Sequence, residues 1–367
     1  MNQDQYFIGF SKIPQIGPIK FQALYNFFGD LELAWRANLP ELIAVGFKEN
    51  EAEEIIKQRN QIDLDKEKEL LNQLNINWVT IEDANYPRLL KEIYDPPFII
   101  YFLGKIELLN QLPILAVIGT RKNTSYGKRV TEDLVSQISN YQIGIVSGLA
   151  LGIDALAHQT TLKQNGFTAA IIGTDLNWHN IGPKTNQHLA KEILEKGGCL
   201  ISENSLGSPI FKSNFARRNR LISGVSKALL IIEAGENSGT LITANCALDQ
   251  NRDVYAVPGS IYSSYCQGTN ELIKKGAKVV TKASDIIEDL QLNCLLKLTA
   301  TNKQQEITQE EEMILSLLNN NNQGLHIDKI AQVCNIKVNA LLSILSMLEI
   351  KGLIKNAGGG NYFSLKK

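Results

Sequence analysis

Short apolar runs alternate with stretches of helical periodicity between residues 113 and 290. In the first helical stretch, for example, Val130, Leu134, Val135 and Ile138 fall on one face. This alternation predicts a right-handed parallel α/β sheet whose strands are joined by helices. The predicted strands are Leu115 to Ile118, Ile143 to Val146, Thr168 to Ile172, Leu200 to Ser202, Ala228 to Ile232, Asp253 to Ala256 and Ala277 to Val280.

The segments that flank this sheet show different patterns. Residues 5–70 are helical in periodicity, and KIPQIGPIKFQALYNFFGD resembles a helix-hairpin-helix. Its turn offers only Gly17 to a phosphate, because Pro18 has no N–H, so we favour a scaffolding or partner role over DNA binding. Residues 71–112 mix apolar runs with prolines and predict one or two further strands joined by a short helix.

The C-terminal segment, residues 309–367, contains three helical stretches and then Gly358-Gly359-Gly360 before Tyr362, as in a winged helix. No arginine occurs from residue 311 onward, so we do not expect it to read a duplex operator, and we favour a protein or auxiliary single-strand contact. The predicted organisation is a helical domain (1–70), an α/β core (71–295), a linker (296–308) and a winged helix (309–367).

Composition narrows the class of protein. With 44% apolar and 20% charged residues the chain is expected to be globular, and without an apolar run of membrane-spanning length we expect it to be cytoplasmic. Five scattered cysteines and four histidines predict neither disulfides nor a metal site, and no cofactor is expected. The net charge is −1, but residues 111–295 hold 18 basic against 15 acidic residues, so a polyanion should meet this part.

The loops after the first two core strands are the first candidate site. Gly119, Thr120 and Arg121 follow one strand, and Ser147 and Gly148 follow the next. The carboxyl ends of parallel strands share one crevice, where helix N-termini offer N–H groups to anions. A dinucleotide fingerprint is absent, which counts against an NAD-dependent oxidoreductase. The arginine suits phosphodiester oxygens, although a turn arginine paired to a nearby carboxylate is the alternative.

The helix after the second strand carries Asp154 and His158, four residues apart. They could form an acid-base dyad. We favour instead that Asp154 satisfies N–H groups at the helix start and that His158 makes a structural hydrogen bond. The sequence has no nucleophile at an elbow-type turn that would complete a triad.

The segment FKSNFARRNRLISG, residues 211–224, is the strongest signal for nucleic acid. Four cations lie within nine residues that contain no acid, and two phenylalanines are interleaved with them. Cations can neutralise successive phosphates while aromatic faces stack on bases, which is how single strands are held without sequence readout. The alternative to a DNA-binding segment is that the two phenylalanines are core residues and that the arginines form a solvated face of the helix. The candidate contacts are Lys212, Phe215, Arg217, Arg218 and Arg220.

Two further features lie after the fifth predicted strand. Glu233 ends that strand and could act as a general base, but without a partner we favour a role in orienting loops. Ser238-Gly239-Thr240 opens a helix and offers N–H groups and hydroxyls to an anion.

Taken together, VIGTRKNTSYG, IVSGLALGIDALAHQTTL, GGCLISE, NFARRNRLISGVSKALLIIEA, SGTLITA, AVPGS and GTNELIKKGA resemble the DprA/Smf family of bacterial DNA-processing proteins. The resemblance covers about residues 110–282. It implies an extended Rossmann-like core that binds single-stranded DNA without catalysis, forms a homodimer and loads the RecA recombinase during natural transformation, in the presence of single-strand-binding protein. Two departures occur: the family's YPxxN motif is Gly182-Pro183-Lys184-Thr185-Asn186 here, and the proline of FPxRNR is Ala216.

We therefore expect a non-catalytic recombination mediator. The enzyme alternative is a nucleoside monophosphate N-glycosidase of the lysine-decarboxylase-like type. The sequence offers only Glu233 and Ser238-Gly239-Thr240 in place of that group's PGGxGTxxE motif.

Overall fold

The computed structural model describes residues 3–236, 238–290, 309–319, 324–350 and 353–364. The chain forms two compact units, Met1–Leu296 and Lys297–Lys367. The expected linker at 296–308 lies outside the described residues.

Six helices occupy the N-terminal region, as the periodicity predicts. The loops between them supply their caps: Asp30 accepts N–H bonds from Glu32 and Leu33, and Asn38 forms a capping box with Glu41. The helices are α1 Asp4–Ser11, α2 Pro18–Phe28, α3 Leu31–Arg36, α4 Leu39–Val45, α5 Glu49–Arg59 and α6 Leu64–Gln73.

The apolar cluster of these helices continues into the sheet. Phe21 of α2 stacks on Phe98, just before a sheet strand, with ring centroids 3.9 Å apart, and the cluster extends to Ile172 and Leu200. The helical region and the sheet therefore share one hydrophobic core and belong to the same compact unit.

The sheet has nine strands in the order β1-β2-β6-β5-β4-β3-β7-β8-β9. All seven predicted core strands are present and pair in parallel, while β1 and β2 are antiparallel additions at one edge. The strands are β1 Asn77–Thr80, β2 Ile99–Gly104, β3 Ile114–Ile118, β4 Gly144–Ser147, β5 Thr168–Ile171, β6 Cys199–Ser202, β7 Ala228–Ile231, β8 Asp253–Ala256 and β9 Lys278–Val279.

Helices cover both faces of this sheet. In β3, Leu115 and Val117 join one apolar cluster while Ala116 and Ile118 join another, because alternate residues point to opposite faces. The connecting helices are α7 Arg88–Lys91, α8 Leu108–Gln111, α9 Ser125–Ser139, α10 Ile153–Lys163, α11 Gln187–Glu195, α12 Lys212–Gly224, α13 Gly239–Asp249, α14 Gln267–Lys274 and α15 Ala283–Asp289.

The C-terminal unit is a winged helix, as predicted. Its wing turns through Gly359 and Gly360, whose positive φ angles of 61° and 79° suit glycine. The sheet order is β10-β12-β11. The elements are α16 Gln309–Asn319, β10 Leu325–His326, α17 Ile327–Cys334, α18 Val338–Ile350, β11 Ile354–Gly358 and β12 Asn361–Ser364. Across the parts of the chain that the structure describes, none of the helices is long and apolar enough to cross a membrane.

Shortening Leu115 to alanine should strongly destabilise the first compact unit, because Leu115 is fully buried in β3, an interior strand of the sheet. We expect Leu115→Ala to lower the free energy of unfolding by roughly 2–5 kcal/mol. The readout is urea denaturation followed by tryptophan fluorescence, which reports on this unit because Trp35, Trp78 and Trp178 all lie in it. The control Leu33→Ala, at a 58% exposed position in α3, should change stability by about 0.5 kcal/mol or less; equal losses would contradict the core assignment.

Candidate nucleic-acid interface

A crevice of about 480 Å³ opens at the carboxyl edge of the sheet, as the strand order predicts. We call it the rim crevice. It lies between the turn after β3, the first half of α12 and the N-terminus of α13. Its polar and charged lining residues are Thr120, Arg121, Asp154, Lys212, Arg218, Asn219, Ser238, Thr240 and Thr243.

Glu233 holds the turn after β3 in place. Its backbone carbonyl accepts the Thr120 N–H at 2.8 Å, and its buried carboxylate accepts the N–H and hydroxyl of Thr124 at 3.0 and 2.5 Å. Gly127 is required beside it, since a Cβ there would lie 2.2 Å from a carboxylate oxygen. Glu233 thus orients the loop, as favoured from the sequence, and leaves the side chain of Arg121 exposed to solvent.

The loop after β4 uses its polar groups internally, which corrects the expectation of phosphate contacts at Ser147 and Gly148. The buried Ser147 hydroxyl donates to the Val117 carbonyl at 2.6 Å. The N–H groups of Gly148 and Ala150 donate to Asp154 at 3.1 and 3.4 Å. The Ser147 hydroxyl and the Gly148 N–H are therefore already satisfied inside the protein and are not offered to a phosphate.

Arg218 is buried at the base of the rim crevice. Its Nη1 donates to the carbonyls of Gly148, at 2.8 Å, and Ile171, so it joins α12 to the loops after β4 and β5. Burial lowers the pKa of its guanidinium to about 10, an effect that Asp154 opposes and the charge of Arg121 reinforces. Two cations therefore repel each other at the crevice.

Asp154 and His158 do not form a dyad. Asp154 bonds to the loop N–H groups, and its pKa is raised by burial, against the opposing charge of Arg218. His158 Nδ1 lies 2.7 Å from the Thr168 hydroxyl. Burial, and secondarily Arg218, lowers the pKa of His158 to about 3, so the imidazole is neutral at physiological pH. His158 therefore has the structural hydrogen bond that we favour from the sequence, whereas Asp154 bonds to N–H groups of the preceding loop rather than to those at the start of its helix.

The three arginines of α12 that the sequence predicts as DNA contacts do not share one exposed face. Arg220 is buried and pairs with Asp95 at 3.2 Å and Glu203 at 2.5 Å, away from the rim crevice. Arg217 is exposed, pairs with the same Glu203 at 3.0 Å, and lines a separate pocket of about 280 Å³. Only Arg218 of the three lines the crevice, because a helix turns successive residues to different sides.

The two phenylalanines also separate. Phe215 lines the rim crevice and packs half-buried against Gly173, where a Cβ would lie 2.8 Å from its ring. Phe211 lines the other pocket and is 58% exposed. Lys212 is exposed and also lines the rim crevice. The exposed cations of the rim crevice are therefore Arg121 and Lys212.

Asn186 is a positioning residue that the sequence analysis left without a role. Its side-chain N–H group donates to the carbonyls of Leu149, at 2.9 Å, and Ala150, at 3.2 Å. It is the last residue of a 3₁₀ turn, Lys184–Asn186, that follows the cis Gly182-Pro183 bond. The altered YPxxN motif therefore keeps the asparagine that holds the β4 loop. Within the described residues, no cluster of three or more His, Cys, Asp or Glu side chains could hold a metal ion.

Comparison with known proteins matches both compact units. The family model for DNA recombination-mediator protein A matches residues 77–291, and that for the DprA winged helix domain matches residues 299–360. The chain is 38% identical to Protein Smf of Synechocystis over 293 residues, which is 79% of this chain and 73% of that protein. It is 40% identical to DNA processing protein DprA of Bacillus subtilis over 215 residues, or 59% and 71%.

Two solved structures are similar as well. The X-ray structure of DprA from Streptococcus pneumoniae matches with a TM-score of 0.67 and 31% identity, covering 78% of this chain and 97% of that one. DNA processing protein A from Helicobacter pylori, whose structure concerns its single-stranded DNA binding mode, matches with a TM-score of 0.52 and 30% identity, covering 60% and 96%.

Replacing Arg218 should destabilise the protein more than replacing its neighbour. Arg218→Met removes the donor to the Gly148 and Ile171 carbonyls, which should cost roughly 1–3 kcal/mol for each buried carbonyl left unpaired. Arg217→Met removes a half-exposed ion pair and should cost less than about 1 kcal/mol. Urea denaturation of the two variants measures the difference; equal stability would show that Arg218 does not hold the crevice together.

Proposed function

Because the chain belongs to the DNA recombination-mediator protein A family, the DprA/Smf family, we propose that it binds single-stranded DNA at the rim crevice. The observation that carries the proposal is the placement of Arg121 and Lys212, two exposed cations, around the buried Arg218 in one crevice. A phosphate there would relieve the repulsion between Arg121 and Arg218. The single-stranded DNA binding of the Helicobacter pylori relative supports the same choice of ligand.

The crevice offers two kinds of contact to a strand. Arg121 and Lys212 supply charge to phosphate oxygens, and the Gly119-Thr120 backbone and the α13 N-terminus at Ser238 lie beside them. Phe215 presents a half-buried ring against which one base can pack. Contacts of this kind bind backbone and base faces without reading sequence.

The other predicted contact residues take supporting roles in this proposal. Arg218 lines the crevice, and Gly148 holds it and Asp154 in place through its carbonyl and N–H groups. Ser147 bonds to the Val117 carbonyl inside the sheet, and Arg220 anchors α12 through Asp95 and Glu203. Arg217 lies on the outer side of α12 and could meet a phosphate only after exchanging its bond to Glu203. We propose that the protein acts by binding rather than by catalysis; in support, the carboxylate of Glu233, the general-base candidate, already accepts two hydrogen bonds from Thr124.

We further propose that the protein acts as a homodimer through its core and loads the RecA recombinase onto single strands in the presence of single-strand-binding protein. The family's description as a DNA recombination mediator supports this role. The winged helix is proposed to contact a protein or an auxiliary stretch of single strand, because α18 carries no arginine for base edges.

Arg121→Ala should weaken binding to labelled oligo(dT), because an exposed cation is removed from the crevice. If one phosphate contact is lost, the slope of log affinity against log salt should fall by roughly 0.7. The matched control is Arg88→Ala, an exposed arginine of α7 between the edge strands. A salt titration by fluorescence anisotropy measures both; an unchanged slope in Arg121→Ala would remove this residue from the site.

RecA loading predicts that the wild-type protein shortens the lag before RecA hydrolyses ATP on DNA already covered by single-strand-binding protein. Arg121→Ala should restore the lag, because loading depends on holding the strand. Arg88→Ala should behave as wild type. If the wild-type protein binds the strand but leaves the lag unchanged, the mediator proposal fails while the DNA-binding proposal stands.

A further inference from the structure

The loop between β8 and α14 exposes a group of large side chains that the proposed site does not use. Tyr262 is 93% exposed, Ile261 77% and Tyr265 37%. We call residues 259–266 the tyrosine loop. Exposed aromatic side chains that lie close together commonly mark a surface that meets a partner.

The tyrosine loop lies on the same edge of the sheet as the rim crevice. In the parallel register Ile118 at the end of β3 pairs with Ile231 of β7, and Ile231 pairs with Ala256 of β8. The loops that follow these three strands are therefore neighbours. A direct bond joins the start of α9 to the loop after β8, since the Tyr126 hydroxyl donates to the Pro258 carbonyl at 2.8 Å.

Hydrogen bonds at both ends hold the tyrosine loop in shape. Asn270 exchanges two bonds with Gly259, at 3.2 and 3.0 Å, and Gly259 packs so closely on Cys266 that a Cβ would lie 2.2 Å from its sulfur. Ser260 accepts the Tyr262 N–H through its hydroxyl, at 3.3 Å, and the Ser263 N–H through its carbonyl, at 3.0 Å. A partner can meet the exposed rings without first ordering the backbone, which lowers the cost of binding.

Positive charges outnumber negative ones on the loops beside the tyrosine loop, where the loop after β7 adds one exposed acid, Glu236. Residues 254–270 contain no charged side chain. Residues 119–131, on the adjoining loop and helix, contain Arg121, Lys122, Lys128 and Arg129 and no acid. All four cations are exposed, and of these only Arg129 has an ion-pair partner in the described part of the chain, Asp133 at 3.8 Å.

We propose that the tyrosine loop is a second base-stacking site for the single strand, with Tyr262 as its main contact. This inference rests on the proposed function and extends the strand's path from the rim crevice across residues 119–129 to the loop. The cations hold the phosphates while Tyr262 stacks on a base outside the crevice. The combination of aromatic faces and cations that the sequence suggested for residues 211–220 occurs here with every member exposed.

The test compares Tyr262→Ala with Tyr262→Phe for binding to labelled oligo(dT) and to an abasic oligonucleotide of equal length. Tyr262→Ala should lose about tenfold in affinity for oligo(dT), which is about 1.4 kcal/mol and in the range for one stacked base. Tyr262→Phe keeps the ring and should bind as wild type. On the abasic strand all three proteins should bind equally, and the salt slope should not change, because no phosphate contact is lost.

Tyr94→Ala is the matched control, since Tyr94 is 90% exposed near the opposite edge strands and should not affect binding. If wild type binds and Arg121→Ala weakens it, but Tyr262→Ala has no effect, the tyrosine loop is not a stacking site and only this inference fails. If wild type binds no single strand, the proposed function fails first. If Tyr262→Ala changes the oligomeric state in light scattering, and affinity falls equally on abasic DNA, the loop is a subunit contact and the inference is overturned.

Discussion

The buried guanidinium of Arg218 is the interaction on which the candidate site depends. It bonds to the carbonyls of Gly148 and Ile171, while Asp154 takes the Gly148 N–H, so both backbone groups of one glycine are held by side chains. A buried cation without partners would be very costly, and these carbonyls and the nearby carboxylate offset that cost. The floor of the rim crevice is consequently fixed before any ligand arrives.

This arrangement separates charges that build the site from charges that can meet DNA. Arg218 and Arg220 are buried and hold α12, one through carbonyls and the other through Asp95 and Glu203. Arg121 and Lys212 remain exposed at the crevice. A chain with a net charge of −1 can therefore still present a locally positive edge.

The fold could be predicted largely from sequence, because parallel strands buried on both faces require short apolar runs, and helices require spaced apolar residues. The carboxyl edge, the turn at Arg121 and the loop role of Glu233 followed from the same reasoning. The burial and pairing of Arg220 in α12 could not be predicted in this way. They depend on Asp95 and Glu203, which lie 125 and 17 residues before Arg220 in the chain. The sequence did not predict the tyrosine loop as a site for a similar reason. Tertiary packing determines how exposed Tyr262 is, and no local sequence pattern indicates it.

The most direct test of the central claim is a crystal structure of the protein with a short oligo(dT). The account predicts phosphates within hydrogen-bond distance of Arg121 and Lys212, with the strand lying along the carboxyl edge of the sheet. The account would be contradicted if the rim crevice were empty and the strand lay instead at the helical hairpin around Gly17 or on the winged helix.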